Sequence, residues 1–203
     1  MRKLCKWFLI LVCLSLVLDF FGILSDKATL RQSLVRLHVV AASDTEEHQA
    51  AKLKVRDAVV AYVDEALSHV MTLEEAKQWI HENLPGIEAV ANDVLQRLGL
   101  KDRAAASFRT EDFPTRHYDT FSLPAGVYSS LRITIGEGAG QNWWCVIFPS
   151  LCMPAAGEDT ESVTAGAGFS DTLTNTVCRK SGYKLRFYVL EVLGKLENFF
   201  FRR

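Results

Sequence analysis

The sequence predicts an α+β fold: a single domain in which an N-terminal strand and a helical block lead into antiparallel strands and a closing helix. Three observations predict it. Apolar residues recur at helical spacing between Val55 and Leu98. They alternate with polar residues at Leu131, Ile133 and Ile135, and helical spacing returns from Tyr183 to Phe200. A chain of 203 residues, 49% of them hydrophobic, has the material for one core.

The first segment stands apart from that core. Arg2, Lys3 and Lys6 precede the run WFLILVCLSLVL, and FFGIL carries it past Asp19 to Leu24. A basic start, an apolar stretch and a polar exit make an export segment over residues 1–25, either a cleaved signal peptide or a membrane anchor. Trp7 to Leu24 forms roughly 27 Å of helix, close to the thickness of a bilayer core. The chain beyond Ser25 is expected to be extracytoplasmic.

The core domain is assigned to residues 33–153. Val35 to Ala41 (VRLHVVA) is short and β-rich and predicts a strand. SDTEEHQ ends it and starts a helix, with Ser43 or Asp44 as cap and Glu46 and Glu47 at the positive end of the dipole. Val55, Val59, Tyr62, Val63, Ala66 and Val70 form its buried stripe. Thr72 with Glu75 has the capping-box spacing and opens a helix carrying Ala76, Trp79 and Ile80, broken at Asn83-Leu84-Pro85-Gly86. Ile87, Val90, Ala91, Val94 and Leu98 make a further stripe, closed by Gly99. Ala105 to Glu111 reads as a strand, followed by an irregular stretch with Pro114 and Pro124. Leu131 to Ile135 alternates as a half-buried strand does, and NWWCVIF, apolar on both faces, predicts a central strand. Residues 154–178 are small, polar and aperiodic and read as a flexible linker, and 179–203 as a terminal helix.

Glycines 136, 138 and 140 raise the question of a phosphate cradle. Their spacing is G-x-G-x-G rather than G-x-G-x-x-G, and the β-like segment after them supplies no helix N-terminus. A P-loop lysine is also missing, since no lysine occurs between Lys101 and Lys180. The glycines therefore predict a hairpin turn between two antiparallel strands, and neither a cofactor nor a small-molecule substrate is expected. A net charge of −1, with no basic cluster beyond the N-terminus, gives no case for nucleic acid.

Catalytic patterns are equally sparse. His38, His48, His69, His81 and His117 are scattered and none lies in H-E-x-x-H. His117 near Asp119 has the spacing of a ligand pair but reads first as a solvated loop histidine, and Ser129 and Ser130 lie outside any G-x-S-x-G elbow. The expectation is a protein that is not an enzyme and holds no metal. Trp143 and Trp144 point to opposite faces of their strand, which suits one to the core and the other to a recognition surface. Cys145 and Cys152 enclose a short loop containing Pro149 and, in an oxidising compartment, are the expected disulfide, contributing ~2 kcal/mol.

Two segments carry a family resemblance. RLHVVAASDTEEHQAAKLKVRDAV (Arg36 to Val59) and FSLPAGVYSSLRITIGEGAGQNWWCVIFPSLC (Phe121 to Cys152) resemble the stage II sporulation protein R family of endospore-forming bacteria. The resemblance implies an intercompartmental signal. Such proteins are made in the forespore and exported into the space between forespore and mother cell. There they trigger a membrane-embedded aspartyl protease of the mother-cell membrane, which removes the pro-sequence of sigma-E. No catalytic residues carry over; Asn142, Trp143, Trp144, Cys145 and Cys152 fall in the most recognisable motif, the first three as interaction candidates. The competing classes are an exported cell-wall hydrolase, with Glu111, Asp119 or Glu137 as its acids, and an envelope-binding module.

Overall fold

Strand β1 (Val35–Val40) is buried at all six positions, and the rest of the sheet is built around it. The computed structural model describes residues 2–68, 72–118, 120–150, 169–178, 180 and 183–201, with the backbone alone for 2–5, 9 and 16. The sheet also contains β2 (Ala104–Phe113), β5 (Gly126–Ile135) and β6 (Asn142–Phe148), in the order β2-β5-β1-β6. β1 runs parallel to β5 and antiparallel to β6, and β2 is antiparallel to β5. A separate two-residue ladder joins β3 (Arg116–His117) to β4 (Ser122–Leu123). The fold is α+β, as the periodicities predict.

One face of the sheet is covered by α2 (Glu46–Leu67), α3 (Leu73–Glu82) and α4 (Leu84–Arg97). Val55, Val59, Val63, Ile80, Ile87 and Leu95 pack there on Val35, Leu37, Val39, Leu131 and Ile133. Thr72 and Glu75 form the reciprocal capping box. The predicted break before α4 narrows to Asn83, which ends one helix and starts the next, with proline in the first turn. The cap of α2 is Thr45, whose hydroxyl accepts the His48 N–H, rather than Ser43 or Asp44. Ser43 Oγ lies 2.7 Å from His48 Nδ1, and Asp44 Oδ1 accepts the Gln141 N–H at 2.8 Å, so both side chains have other tasks. At the outer edge of β2, Asn92 and Glu88 of α4 bond Ala104 and Ala106, blunting an edge that would otherwise invite pairing.

The other face holds a second core. Leu30, Leu34, Phe113, Tyr128, Val146, Leu173, Val177 and Leu190 meet there, supplied in part by the end of α1 (Arg2–Ser33), α5 (Asp171–Val177) and α6 (Lys184–Phe201). Arg186 pairs with Asp26 at 2.7 Å, and Glu197 takes Lys27 at 3.1 Å and Arg31 at 2.6 Å, fixing α6 along α1. Among the described residues one helix is long and apolar enough to cross a membrane, over Lys6–Ser33. Trp7, Phe8, Leu11, Leu14, Leu18 and Phe21 in it are exposed, whereas Ile23 and Leu30 are buried in the second core. The apolar leader therefore runs without interruption into the domain.

Three further expectations change. Gly136 to Gly140 do not turn a hairpin, because β1 lies between β5 and β6; the loop instead crosses the end of β1. NWWCVIF is an edge strand and β1 a central one. Covering both faces of a strand makes it apolar on both sides without requiring a neighbour at each edge, and that cue misplaced β6. The aperiodic stretch also contains a short helix. Asp171–Val177 is capped by Ser170 and buries Leu173 and Val177, while residues 151–168 lie outside the described ones.

Candidate functional site

Side chains alternate along β1, so with Val35, Leu37 and Val39 turned toward the helical block, Arg36 and His38 face the opposite way. Arg132 of β5 and Trp144 of β6 lie beside His38 in the register, and β2 brings Arg109 and Glu111 to the same face. The cluster converges on Glu111. Arg109 donates to Oε1 from Nε at 3.0 Å and from Nη2 at 2.7 Å, and Arg132 Nη1 donates to the same oxygen at 2.9 Å. Ser130 Oγ donates to Oε2 at 2.8 Å, and His38 Nδ1 lies 3.1 Å from it. Burial alone would raise the pKa of this carboxyl, but the bonds from His38, Arg132 and Ser130 outweigh it and hold Glu111 well below the usual carboxylate range.

His38 extends the cluster in two directions. Its Nε2 is 2.7 Å from Asn142 Oδ1, and its ring stacks on Trp144 with centroids 3.8 Å apart. Arg116 of β3 reaches over the Trp144 ring at 5.8 Å. Deeper in, Arg36 is fully buried; Nη2 donates to Tyr118 Oη at 2.8 Å and the guanidinium lies 4.3 Å from the centre of the Phe113 ring. Its Nη1 has no hydrogen-bond partner. Trp144, Arg109, Arg132 and Asn142 keep this end of the face partly open, whereas the other end is closed by α1, α5 and α6.

The glycine loop is a separate assembly. The N–H groups of Gly136, Gly138, Ala139 and Gly140 donate to the carbonyls of Arg103, Ile135, Ala42 and Ala41, and that of Gln141 to Asp44. Those donors are turned inward, away from any phosphate. A Cβ on Gly140 would collide with the backbone of Ser43, so glycine is required where the loop passes. Lys52 Nζ holds the loop from below, donating to Gln141 O at 3.1 Å and Gln49 Oε1 at 2.6 Å; burial pushes this ammonium's pKa down, opposed by Asp44 and reinforced by Arg56. His48 Nε2 lies 3.2 Å from Asp102 Oδ2 while its Nδ1 meets Ser43 Oγ. The serine–histidine–aspartate chain so formed also ties the start of α2 to the approach of β2.

The sequence-expected residues divide between these places. Asn142 and Trp144 join the Glu111 cluster. Trp143 lies on the opposite face of β6, with the Arg56 guanidinium 4.2 Å from its ring centre. Cys145 is disulfide-bonded, and Cys152, its expected partner, lies outside the described residues, as does Asp119. Of the possible acids, Glu111 is in the cluster and Glu137 is exposed on the glycine loop. His117 bonds Ser122 Oγ at 2.9 Å. Sequence reasoning missed Arg36, His38, Arg109, Ser130 and Arg132. Their signal was present: Arg36 and His38 interrupt VRLHVV at alternate positions, the period of one sheet face.

No solved structure matches the chain. Stage II sporulation protein R of Bacillus subtilis (strain 168) is 37% identical over 118 residues, which is 58% of this chain and 53% of that protein. The chain thus spans about half the length of the curated relative it matches. The stage II sporulation protein R profile matches residues 31–158, from the end of α1 through β6 and past Cys152. That range takes in the glycine loop and all the side chains around Glu111. With both assemblies inside the match, the chain belongs to the stage II sporulation protein R family.

Proposed function

We propose that the protein is an exported sporulation signal. It activates a membrane-embedded aspartyl protease in the neighbouring mother-cell membrane and so starts the processing of pro-sigma-E. The observation that carries this reading is α1: its exposed apolar half suits a signal peptide or membrane anchor, and its other half is built into the second core. The domain is thereby delivered to a membrane surface. Membership of a sporulation family supports the context. A ligand of this kind acts by binding the active state of its target more tightly than the inactive one, which needs a contact surface and no reaction of its own.

Co-expression of the chain with the protease and pro-sigma-E in a non-sporulating host is expected to yield processed sigma-E. Pro-protein that stays intact while the domain is demonstrably outside the cytoplasm would overturn the proposal. In the same exported material, a non-reduced digest is expected to contain Cys145 joined to Cys152, about two mass units below the sum of the reduced peptides. Free thiols at both positions would refute the pairing.

A second reading, an exported cell-wall hydrolase, is favoured by the Ser43–His48–Asp102 chain. It is the weaker one. The Thr45 N–H donates to Ser43 Oγ at 3.3 Å, and the loop amides nearby are spent on carbonyls, so an oxyanion would find them occupied. Wall digestion by the purified chain that is abolished in Ser43→Ala would reverse that ranking.

A further inference from the structure

We infer that the open end of the second sheet face, formed by Arg109, Arg132 and Arg116 around His38, Asn142 and Trp144, docks an acidic segment of a partner protein. The inference deepens the proposed function by giving the signal a contact surface, and it rests on that reading for the existence of a protein partner.

Glu111 shows what the face is built to hold. A single carboxylate there is met by two guanidiniums, a hydroxyl and an imidazole, an arrangement that matches carboxylate geometry closely. The positive charge is not used up by it. Among the described residues, Arg109, Arg132 and the buried Arg36 stand against the carboxylate of Glu111, and Arg116 adds a further exposed charge over Trp144. The Arg109 side chain is 49% exposed and that of Arg132 is 24% exposed, so both remain within reach of solvent while they hold Glu111. Trp144 provides an apolar floor, flanked by Asn142 with an amide at the rim.

Charge complementarity selects the occupant. A local surplus of guanidinium on a face left partly open by the described residues favours an acidic partner over a basic one, and the protein target of the proposed function makes that partner a glutamate- or aspartate-rich segment. A peptide also suits the shape. An extended segment presents side chains to one face every second residue, the period at which this sheet displays its own.

The test uses the full chain in detergent micelles and a fluorescent peptide of alternating glutamate and serine, with its glutamine analogue as comparison. The glutamate peptide is expected to bind at least tenfold more tightly than the analogue, and to weaken as ionic strength rises from about 0.05 to about 0.3 M. Arg109→Gln with Arg116→Gln is expected to lose about tenfold or more in affinity, whereas Lys54→Gln with Lys101→Gln, on exposed positions elsewhere, keeps wild-type binding. Thermal melts identify variants that fold. In the co-expression assay the arginine variant is expected to slow pro-sigma-E processing by a similar factor. Equal binding of both peptides, wild-type affinity in the arginine variant, or full competition by free glutamate at the same carboxylate concentration would each overturn the inference. So would undiminished processing by a variant that no longer binds the peptide, and that result leaves the proposed function standing. If the wild-type chain itself fails to drive processing, the proposed function falls, and the peptide titration still decides the docking face.

Discussion

Replacing Glu111 by alanine is expected to cost about 3 kcal/mol of folding stability, because the buried Ser130 and His38 lose their acceptor and the partly exposed Arg109 and Arg132 lose their counter-charge. Arg132 and His38 donate into a carboxylate whose side chain is 10% exposed, and Arg109 closes it from the solvent side. Glutamine keeps the shape but not the charge and is expected to fall between alanine and wild type. Urea unfolding at neutral pH measures both; a loss below about 1 kcal/mol in the alanine variant would mean the cluster is not a structural keystone. The pH dependence comes from the same contacts. Glu111 titrates lower in the folded chain than its ordinary 4.5, so the unfolded chain binds the proton more readily. Its contribution is therefore complete above 4.5 and drains away as the pH falls below that value. Glu111→Gln is expected to flatten this acid limb of the stability curve. An unchanged limb would show that other carboxylates set it.

Gly194→Ala is expected to be nearly as damaging. Gly194 is buried in the middle of α6, and a Cβ there would fall on the carbonyl of Ala125. Backbone cannot swing aside as a side-chain tip can, so the helix must lift from the sheet. Lifting it strains the burial of Phe187 and Leu190, the Asn198 bond to Phe113 O at 2.8 Å, and the salt bridges of Glu197 to α1. Overpacking of this kind costs about 3 kcal/mol at the upper end of its usual range. In a domain of this size that lowers the melting temperature by roughly 6–12 °C. Circular-dichroism melts of the full chain in detergent provide the measurement. A melt within about a degree of wild type would show that α6 does not bear on the Ala125 turn in solution.

Much of the fold was legible because local chemistry carried it. The capping box at Thr72 and Glu75, the end of α4 at Gly99 and the span of β6 are set by neighbours in the chain, and each element forms where its residues indicate. Strand order was not legible. Whether β6 pairs with β5 or β1 depends on a segment about a hundred residues away, and no short-range pattern records it. The candidate site was half legible for the same reason. Asn142 and Trp144 stood out in the motif that carries the family resemblance, but Glu111, Arg132 and His38 are ordinary residues on three strands until the register aligns them. α5 escaped notice because seven residues are too few for helical periodicity to separate from a polar run.

The insertion of β1 between later strands also sets a timetable. β1 is complete at Val40, yet its partners begin at Gly126 and Asn142. A nascent chain therefore carries an apolar, β-branched segment with both edges bare until β5 is made, and with one edge bare until synthesis has passed Phe148. Fragments ending earlier keep that liability permanently.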